Sequence, residues 1–130
     1  MRKFVLAAML LAAASAHAEW KWLGAPSSQT YQEYYDPATV RPQGGKVRFW
    51  LMRDYARPYT DSTGDTYSSE KLLRAVDCNM ETATTLSVVQ YSGKTGSGTV
   101  VYTGVFENPK WTPAAPGTMA ESHVAVACRR

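Results

Sequence analysis

The chain has 130 residues and a formal net charge of +3, with 45% hydrophobic and 19% charged residues. A chain of this length forms one domain, and its ordinary globular composition argues against disorder. The modest charge argues against a nucleic-acid binder, which would carry a clustered basic face. Eight Tyr, four Trp and three Phe favour a sheet-rich fold, because flat rings pack well on a pleated surface.

Residues 1–18 have the three parts of a secretory signal peptide. Arg2 and Lys3 supply the positive start, Phe4–Ala14 is an apolar run, and Ser15–Ala18 ends in small residues. The apolar run is too short to cross about 30 Å of hydrocarbon as a membrane anchor. We therefore predict cleavage after Ala18 and an exported single domain at residues 19–130. Because the leader removes two of the basic residues, the net charge gives no indication of partners.

Short β-rich runs separated by turn residues predict about six antiparallel strands. The clearest is Lys46–Asp54, in which Val47, Phe49 and Leu51 lie on one face while Trp50 and Met52 lie on the other. The other predicted features are strands at Thr30–Tyr35, Ser69–Asp77, Thr82–Tyr91 and Thr99–Thr103, turns at Gly44-Gly45 and Ser92–Gly98, and a polar loop at Ala56–Tyr67.

The last segment has the features of a helix. Thr118 and Glu121 have the spacing of a capping box, in which each side chain bonds the other residue's amide. A helix at Met119–Ala127 follows, with Arg129 and Arg130 placed favourably at its negative end. The expected fold class is α+β, with a sheet and one C-terminal helix.

Cys78 and Cys128 are the chain's two cysteines. An even count in an exported domain predicts a disulfide, which would attach the terminal helix to the sheet. The alternative is a metal site, but Zn²⁺ needs three or four closely spaced ligands. The two thiols are far apart in sequence and the mature chain has one histidine, His123. We predict no metal site.

Two motifs resemble those of serine enzymes that act on penicillin or cell wall. Ser68–Lys71 matches S-x-x-K, and Lys94-Thr95-Gly96 matches K-T-G. That chemistry requires the serine at a helix start, whereas Ser68 begins a predicted strand, and no S-D-N motif is present. Gly93-Lys94-Thr95 also lacks the first glycine of a phosphate loop. We therefore predict that the protein is not an enzyme.

The carboxylates Asp54, Glu70 and Asp77 could pair for acid–base work, but such residues are more often solvated or ion-paired at the surface. His123 is the one histidine of the mature chain that could serve as the base of a Ser-His-acid triad. A histidine on a terminal helix is more typical of a solvated or half-buried surface residue. No cofactor is predicted, although a haem site through His123 stays open as an alternative.

The side of the Lys46–Asp54 strand that carries Trp50 and Met52 has two interpretations. Either the helix or an irregular loop covers it, or it is an exposed apolar patch that forms a dimer seam or a protein-binding site. Tyr55 and Tyr59 would enlarge such a patch, since tyrosine is well suited to interfaces. The candidate binding residues are Trp50, Met52, Tyr55 and Tyr59, with Tyr31, Tyr34 and Tyr35 as further contributors.

Several segments together resemble the surface-adhesin protein E-like family of Gram-negative bacteria. The resemblance covers nearly all of the mature chain in the same order. It rests on Tyr35–Arg41, Gly44–Trp50, Asp54–Ala56, Asp77-Cys78, Tyr91–Gly98, Trp111–Pro113, Pro116-Gly117 and Cys128.

This resemblance implies two facing antiparallel sheets, a C-terminal helix linked to the body by a disulfide, and often a homodimer. It also implies a surface adhesin and virulence factor that binds host matrix or serum proteins such as laminin and vitronectin, with haem binding reported for the type. The adhesin that gave the family its name is lipid-anchored, whereas this chain has no cysteine at the predicted cleavage site.

The sequence therefore predicts an exported, non-catalytic binding module at the cell surface or in the periplasm of a Gram-negative bacterium. The alternative is a periplasmic inhibitor, for example of lysozyme, in which Ala56–Tyr67 or Ser92–Gly98 would be a projecting loop. The sequence does not decide the ligand, the oligomeric state, or whether Trp50 and Met52 belong to the core.

Overall fold

The computed structural model describes residues 18–129, and the predicted leader lies outside the described residues except for Ala18. The described part contains eight strands and one α-helix, besides two single-turn 3-10 helices at Pro37–Thr39 and Lys94–Gly96. The strands and the α-helix are β1 (Lys21–Gly24), β2 (Tyr31–Tyr35), β3 (Arg41–Gln43), β4 (Lys46–Thr60), β5 (Thr66–Asp77), β6 (Thr82–Tyr91), β7 (Val100–Val105), β8 (Thr112–Pro113) and α1 (Met119–Cys128).

The described strands form one antiparallel sheet rather than two. Its main order is β1-β2-β4-β5-β6-β7, with β3 paired to β4 and β8 paired to β6. The prediction of two small sheets is therefore wrong. The physical reason is the length of β4, whose 15 residues pair with β2 and β3 along one side and with β5 along the other. Because this hydrogen bonding is continuous, the strands of the two predicted sheets form a single sheet.

The long predicted strands are confirmed, and the predicted loop at Ala56–Tyr67 is wrong. Strand β4 continues to Thr60 and β5 begins at Thr66, so the connection is a tight turn. The carboxylate of Asp61 closes this turn by accepting from the amides of Thr63 and Asp65, at 2.9 and 3.0 Å. The short strands β1, β3 and β8 were not predicted, because they are defined by pairing with longer neighbours.

The predicted turn at Gly44-Gly45 is confirmed and joins β3 to β4. Both glycines have positive φ, at 58° and 79°, which side-chain-bearing residues rarely adopt. Two such residues form the turn whose twist matches that of a two-stranded hairpin.

The hydrophobic core lies between the sheet and α1. We call this side of the sheet the helix-facing side, and it carries Val47, Phe49 and Leu51 of β4. Phe49 and Leu51 are completely buried, and Ala127 of α1 packs into the same cluster. The predicted alternation of apolar residues along β4 is confirmed. We call the opposite side, which carries Arg48, Trp50 and Met52, the outer side.

The predicted disulfide is confirmed, and it attaches the end of α1 to the sheet. Cys78 directly follows β5, and Cys128 is the last residue of the helix.

The predicted helix is also confirmed, but the prediction of a capping box at its N-terminus is wrong. The Thr118 hydroxyl donates to the Ala115 carbonyl at 2.6 Å, and the Glu121 carboxylate accepts from the Gly117 amide at 2.7 Å.

A glycine-rich turn at Lys94–Gly96 folds back over part of the outer side. Its amides bond two side chains of the sheet: Thr95 donates to Asp54 at 2.9 Å, and Gly96 donates to the Ser69 hydroxyl at 2.8 Å. Gly96 has a φ of 75°, a left-handed conformation that favours glycine at this position. The segment therefore does not project, as an inhibitory loop would.

Candidate binding surface

A row of polar side chains crosses the helix-facing side of the four central strands. Glu33, Arg53, Glu70 and Gln90 are successive register partners in β2, β4, β5 and β6. Arg53 Nε lies 3.0 Å from Glu33 Oε2, and Arg53 Nη1 lies 3.6 Å from Glu70 Oε1. Both carboxylates are buried. Buried charges are tolerated when they are paired, and the shared guanidinium meets this requirement.

His123 joins α1 to this row and is not a surface residue. Its side chain is buried, and its Nε2 bonds to the Glu33 carboxylate, while its Nδ1 has no partner in the described part of the chain. Burial holds the pKa of His123 below its ordinary value despite the nearby carboxylate. The neutral ring therefore donates from Nε2. The expectation of a solvated or half-buried histidine is wrong, because the helix turns His123 into the core.

Glu33 is the ionised partner in this contact. Burial opposes its charge, but the hydrogen bond from His123 and the nearby Arg53 outweigh that effect and hold the pKa of Glu33 below its ordinary value. The contact of His123 with Glu33 thus attaches the helix to the sheet. The carboxylate partner of the histidine is Glu33, which is none of the three acids considered for acid–base pairing.

Four tyrosines form a cluster that begins at this ionic row. The Tyr55 hydroxyl donates to Glu70 Oε1 at 2.8 Å, and burial raises the pKa of Tyr55. The Tyr55 ring centroid lies 5.6 Å from those of Tyr31 and Tyr59, and 5.4 Å from that of Tyr67. We call Tyr31, Tyr55, Tyr59 and Tyr67 the tyrosine cluster. Because Tyr55 is held by a buried carboxylate, the cluster is fixed to the sheet.

An irregularity in β4 brings one tyrosine of the cluster to the surface. The register with β5 shifts between Asp54 and Tyr59. Pro58 lies within the shifted segment and has no N–H for the ladder, so regular pairing is interrupted there. As a result Tyr59 is 50% exposed while its stacking partner Tyr55 is 8% exposed.

The tyrosine cluster borders a groove with a volume of about 320 Å³. Its walls are Ser28–Thr30 on one side and Tyr55–Tyr59 on the other. We call this the tyrosine groove. The exposed side chain of Arg57 lies at its wall, so the groove combines aromatic surface, hydroxyl groups and one positive charge. Such a mixture is typical of protein-binding surfaces.

The structure separates the four predicted binding residues into two places. Tyr55 and Tyr59 lie at the tyrosine groove, whereas Trp50 and Met52 lie on the outer side of β4. Met52 is only 2% exposed, because the glycine-rich turn lies over it. Trp50 is partly exposed. An irregular loop thus covers Met52 but not Trp50.

Sequence reasoning missed Arg57, Pro58 and Tyr67 as neighbours of this surface. They lie in the segment that was predicted as a loop because it contains Pro58 and Gly64. The alternation of Tyr59, Asp61, Asp65 and Tyr67 around a turn is the one signal that could have indicated a hairpin there.

Three residues within the two enzyme-like motifs, Ser69, Lys71 and Lys94, make contacts inside the fold. The Ser69 hydroxyl next to Ser68 donates to the Gly93 carbonyl at 2.6 Å, and the Lys71 ammonium lies 5.1 Å from the Tyr91 ring centroid. The Lys94 ammonium donates to the Tyr55 carbonyl.

Within residues 18–129 no group of three or more His, Cys, Asp or Glu side chains could hold a metal ion. No helix of that same range is long and apolar enough to span a bilayer.

The chain was compared with models of protein families, with curated proteins and with solved structures. The model described as Surface-adhesin protein E matches residues 20–129. A search of curated proteins gave no match. Protein E of Haemophilus influenzae, in its selenomethionine form, superimposes with a TM-score of 0.61 at 12% identity, covering 88% of each chain. Protein E from a non-typeable strain gives a TM-score of 0.58 at 12% identity, covering 88% of this chain and 79% of the other. At such identity the structural likeness shows a common fold.

Proposed function

Because this chain belongs to the surface-adhesin protein E family, we propose that it is a non-catalytic adhesin of the cell surface that binds a host macromolecule through the tyrosine groove. The observation that carries this proposal is the pairing of a half-exposed Tyr59 with a buried Tyr55. The partner class is a host matrix or serum protein, with laminin and vitronectin as the first to test. Export by the predicted leader at residues 1–18 is part of the same proposal.

The tyrosine groove suits this function because its aromatic surface is already ordered. Tyr59 stacks on Tyr55 with a ring centroid distance of 5.6 Å, and Tyr55 is held by Glu70. A side chain that is fixed before binding loses little conformational entropy when a partner covers it. Tyrosine and arginine together are also common at the energetically dominant positions of interfaces.

Tyr59→Ala tests the proposed contact. We expect binding to immobilised laminin or vitronectin to weaken at least tenfold, because the variant removes exposed aromatic surface at the groove. The free energy of unfolding should change by less than about 1 kcal/mol, since half of the ring is already solvated. Surface plasmon resonance with the full chain measures the first quantity, and urea denaturation measures the second.

Trp22→Ala is the matched control for this experiment. Trp22 is 63% exposed and lies on β1, in register with Tyr34 and Met52 of the outer side and outside the tyrosine groove. Equal binding by both variants and the parent would exclude the tyrosine groove as the contact.

Protease treatment of intact cells tests the location of the protein. The protease should digest the protein if it is at the cell surface. Protection from protease, together with nanomolar inhibition of lysozyme, would favour the periplasmic inhibitor instead.

A further inference from the structure

Two arginine side chains lie next to each other on the outer side of the sheet. Arg41 of β3 is the direct register partner of Arg48 of β4, and both residues are exposed. Side chains directly opposite on antiparallel strands have Cβ atoms about 5 Å apart, and like charges in that position are destabilising. The arrangement therefore costs stability unless an anion offsets it.

The protein itself supplies no such anion within the described residues. The ion pairs there involve Glu33, Glu70 and Asp54, and none reaches Arg41 or Arg48. Arg41 Nη1 donates to the carbonyls of Ala38 and Val40, at 2.9 and 3.3 Å, which holds the guanidinium against the preceding turn.

The two acidic residues that flank this region have other partners. Asp36 accepts from the Ala38 amide at 3.1 Å. Asp77 accepts from the amides of Asn79 and Met80, at 3.0 and 3.1 Å. Both carboxylates thus stabilise local turns, and the positive charge of the arginine pair is not neutralised by either of them.

The arginine pair borders a shallow groove with a volume of about 380 Å³. Trp50 and Leu73, which are register partners, and Thr39 complete its lining. The Trp50 amide already donates to the Thr39 hydroxyl at 3.0 Å. Since β4 is also paired along both sides here, the groove offers side chains and not a free strand edge for a peptide. We call it the arginine groove.

We propose that the arginine groove binds an acidic oligosaccharide, one that carries sulfate or carboxylate groups. Guanidinium groups bind such groups through two parallel hydrogen bonds, and a pair of them matches repeated charges on one chain. The partly exposed indole of Trp50 provides a flat apolar surface for the C–H face of a sugar ring. This site lies on the other side of the sheet from the tyrosine groove and does not depend on it.

The test uses a heparin-derived sulfated hexasaccharide with the full chain at low salt. We expect binding by isothermal titration calorimetry and a change in tryptophan fluorescence that Trp50→Phe abolishes. Arg41→Gln and Arg48→Gln should each weaken binding about tenfold, and added salt should weaken it further because the contacts are ionic. Arg48→Gln should not lower the melting temperature, since it removes a like-charge contact. Arg41→Gln removes the same contact but also loses the hydrogen bonds to Ala38 and Val40, so its melting temperature is measured beside its affinity.

Arg57→Gln is the matched control, because it removes an exposed arginine from the tyrosine groove instead. Arg48→Lys keeps the charge and the fold but lacks the fork of two donors, and it should bind more weakly than the parent. Absence of hexasaccharide binding at low salt would overturn the proposal. So would an equal loss in the Arg57 variant, or equally strong binding of polyglutamate, which would indicate an acidic protein as ligand.

Discussion

At the scale of single residues, buried charged side chains fix the tyrosine cluster and the terminal helix to the sheet. Glu33 accepts from both Arg53 and His123, and Arg53 also reaches Glu70, which in turn holds Tyr55. One connected set of side chains thus links the terminal helix to the tyrosine cluster. Removing one member of a buried ionic set is costly, because it leaves a charge without a partner.

His123→Gln tests the protonation state of this contact. The pKa of His123 is lowered in the folded protein, whereas the unfolded chain protonates near 6.5. Below that pH the unfolded state binds more protons, so the stability of the parent should fall as the pH decreases from 7 to 5. The slope reaches at most about 1.4 kcal/mol per pH unit for one proton. Glutamine still donates to Glu33 but does not titrate, so the variant should have a flatter profile.

Urea denaturation at several pH values measures this effect. Glu107→Gln serves as the control, because it removes an exposed carboxylate far from the ionic row and should keep the slope of the parent. An identical slope for the parent and the His123 variant would show that the pKa of the histidine is the same in the folded and unfolded states, contrary to the buried neutral ring.

At the scale of elements, β4 organises the sheet and the disulfide secures the helix. Strand β4 gains its long partner β5 through the Asp61–Asp65 turn, and Pro58 interrupts their pairing where the tyrosine groove forms. Helix α1 contacts the sheet through its buried His123 and Ala127, and through the disulfide at its last residue. So short a helix would be marginal without these attachments.

Cys78→Ser with Cys128→Ser tests how much the disulfide stabilises the fold. The bridge joins residues separated by 50 positions. Closing a loop of that size restricts the unfolded chain and should stabilise the protein by about 4 kcal/mol. Chemical denaturation of the double variant should therefore show this loss, and the reduced parent should match it. A loss under about 1 kcal/mol would mean that the helix is held by its packing alone.

At the scale of the whole molecule, the sheet has an edge strand with exposed apolar residues. Val100, Tyr102, Val105 and the adjacent Phe106 are each about half exposed or more, and β7 carries no charge. Edge strands of this kind readily pair with a second chain unless charges prevent it. The homodimer implied by the family resemblance stays a prediction, and this edge is where we expect it to form.

Thr103→Lys tests that expectation, because a charge on the edge strand opposes pairing with a second copy. Light scattering should show a dimer for the parent and a monomer for the variant. Ser62→Lys places the same charge at the tip of the β4–β5 hairpin and should leave the dimer intact. A parent that is monomeric at every concentration would rule out the homodimer.

The sequence by itself determined the features that depend on neighbouring residues. The alternation in β4, the Gly44-Gly45 turn, the helix from Met119 and the pairing of the two cysteines follow from local pattern and residue count. Of the candidate site it identified Tyr55 and Tyr59, because tyrosine is common at interfaces.

Only the tertiary structure decided the rest, because those features depend on contacts between distant residues. The single sheet, the burial of His123 against Glu33 and the facing pair Arg41 and Arg48 arise from strand register, which local pattern does not specify. The same holds for Trp50 and Met52, which alternate with the core residues of β4 and look equivalent in sequence. A turn more than 40 residues later along the chain covers one of them and leaves the other partly exposed.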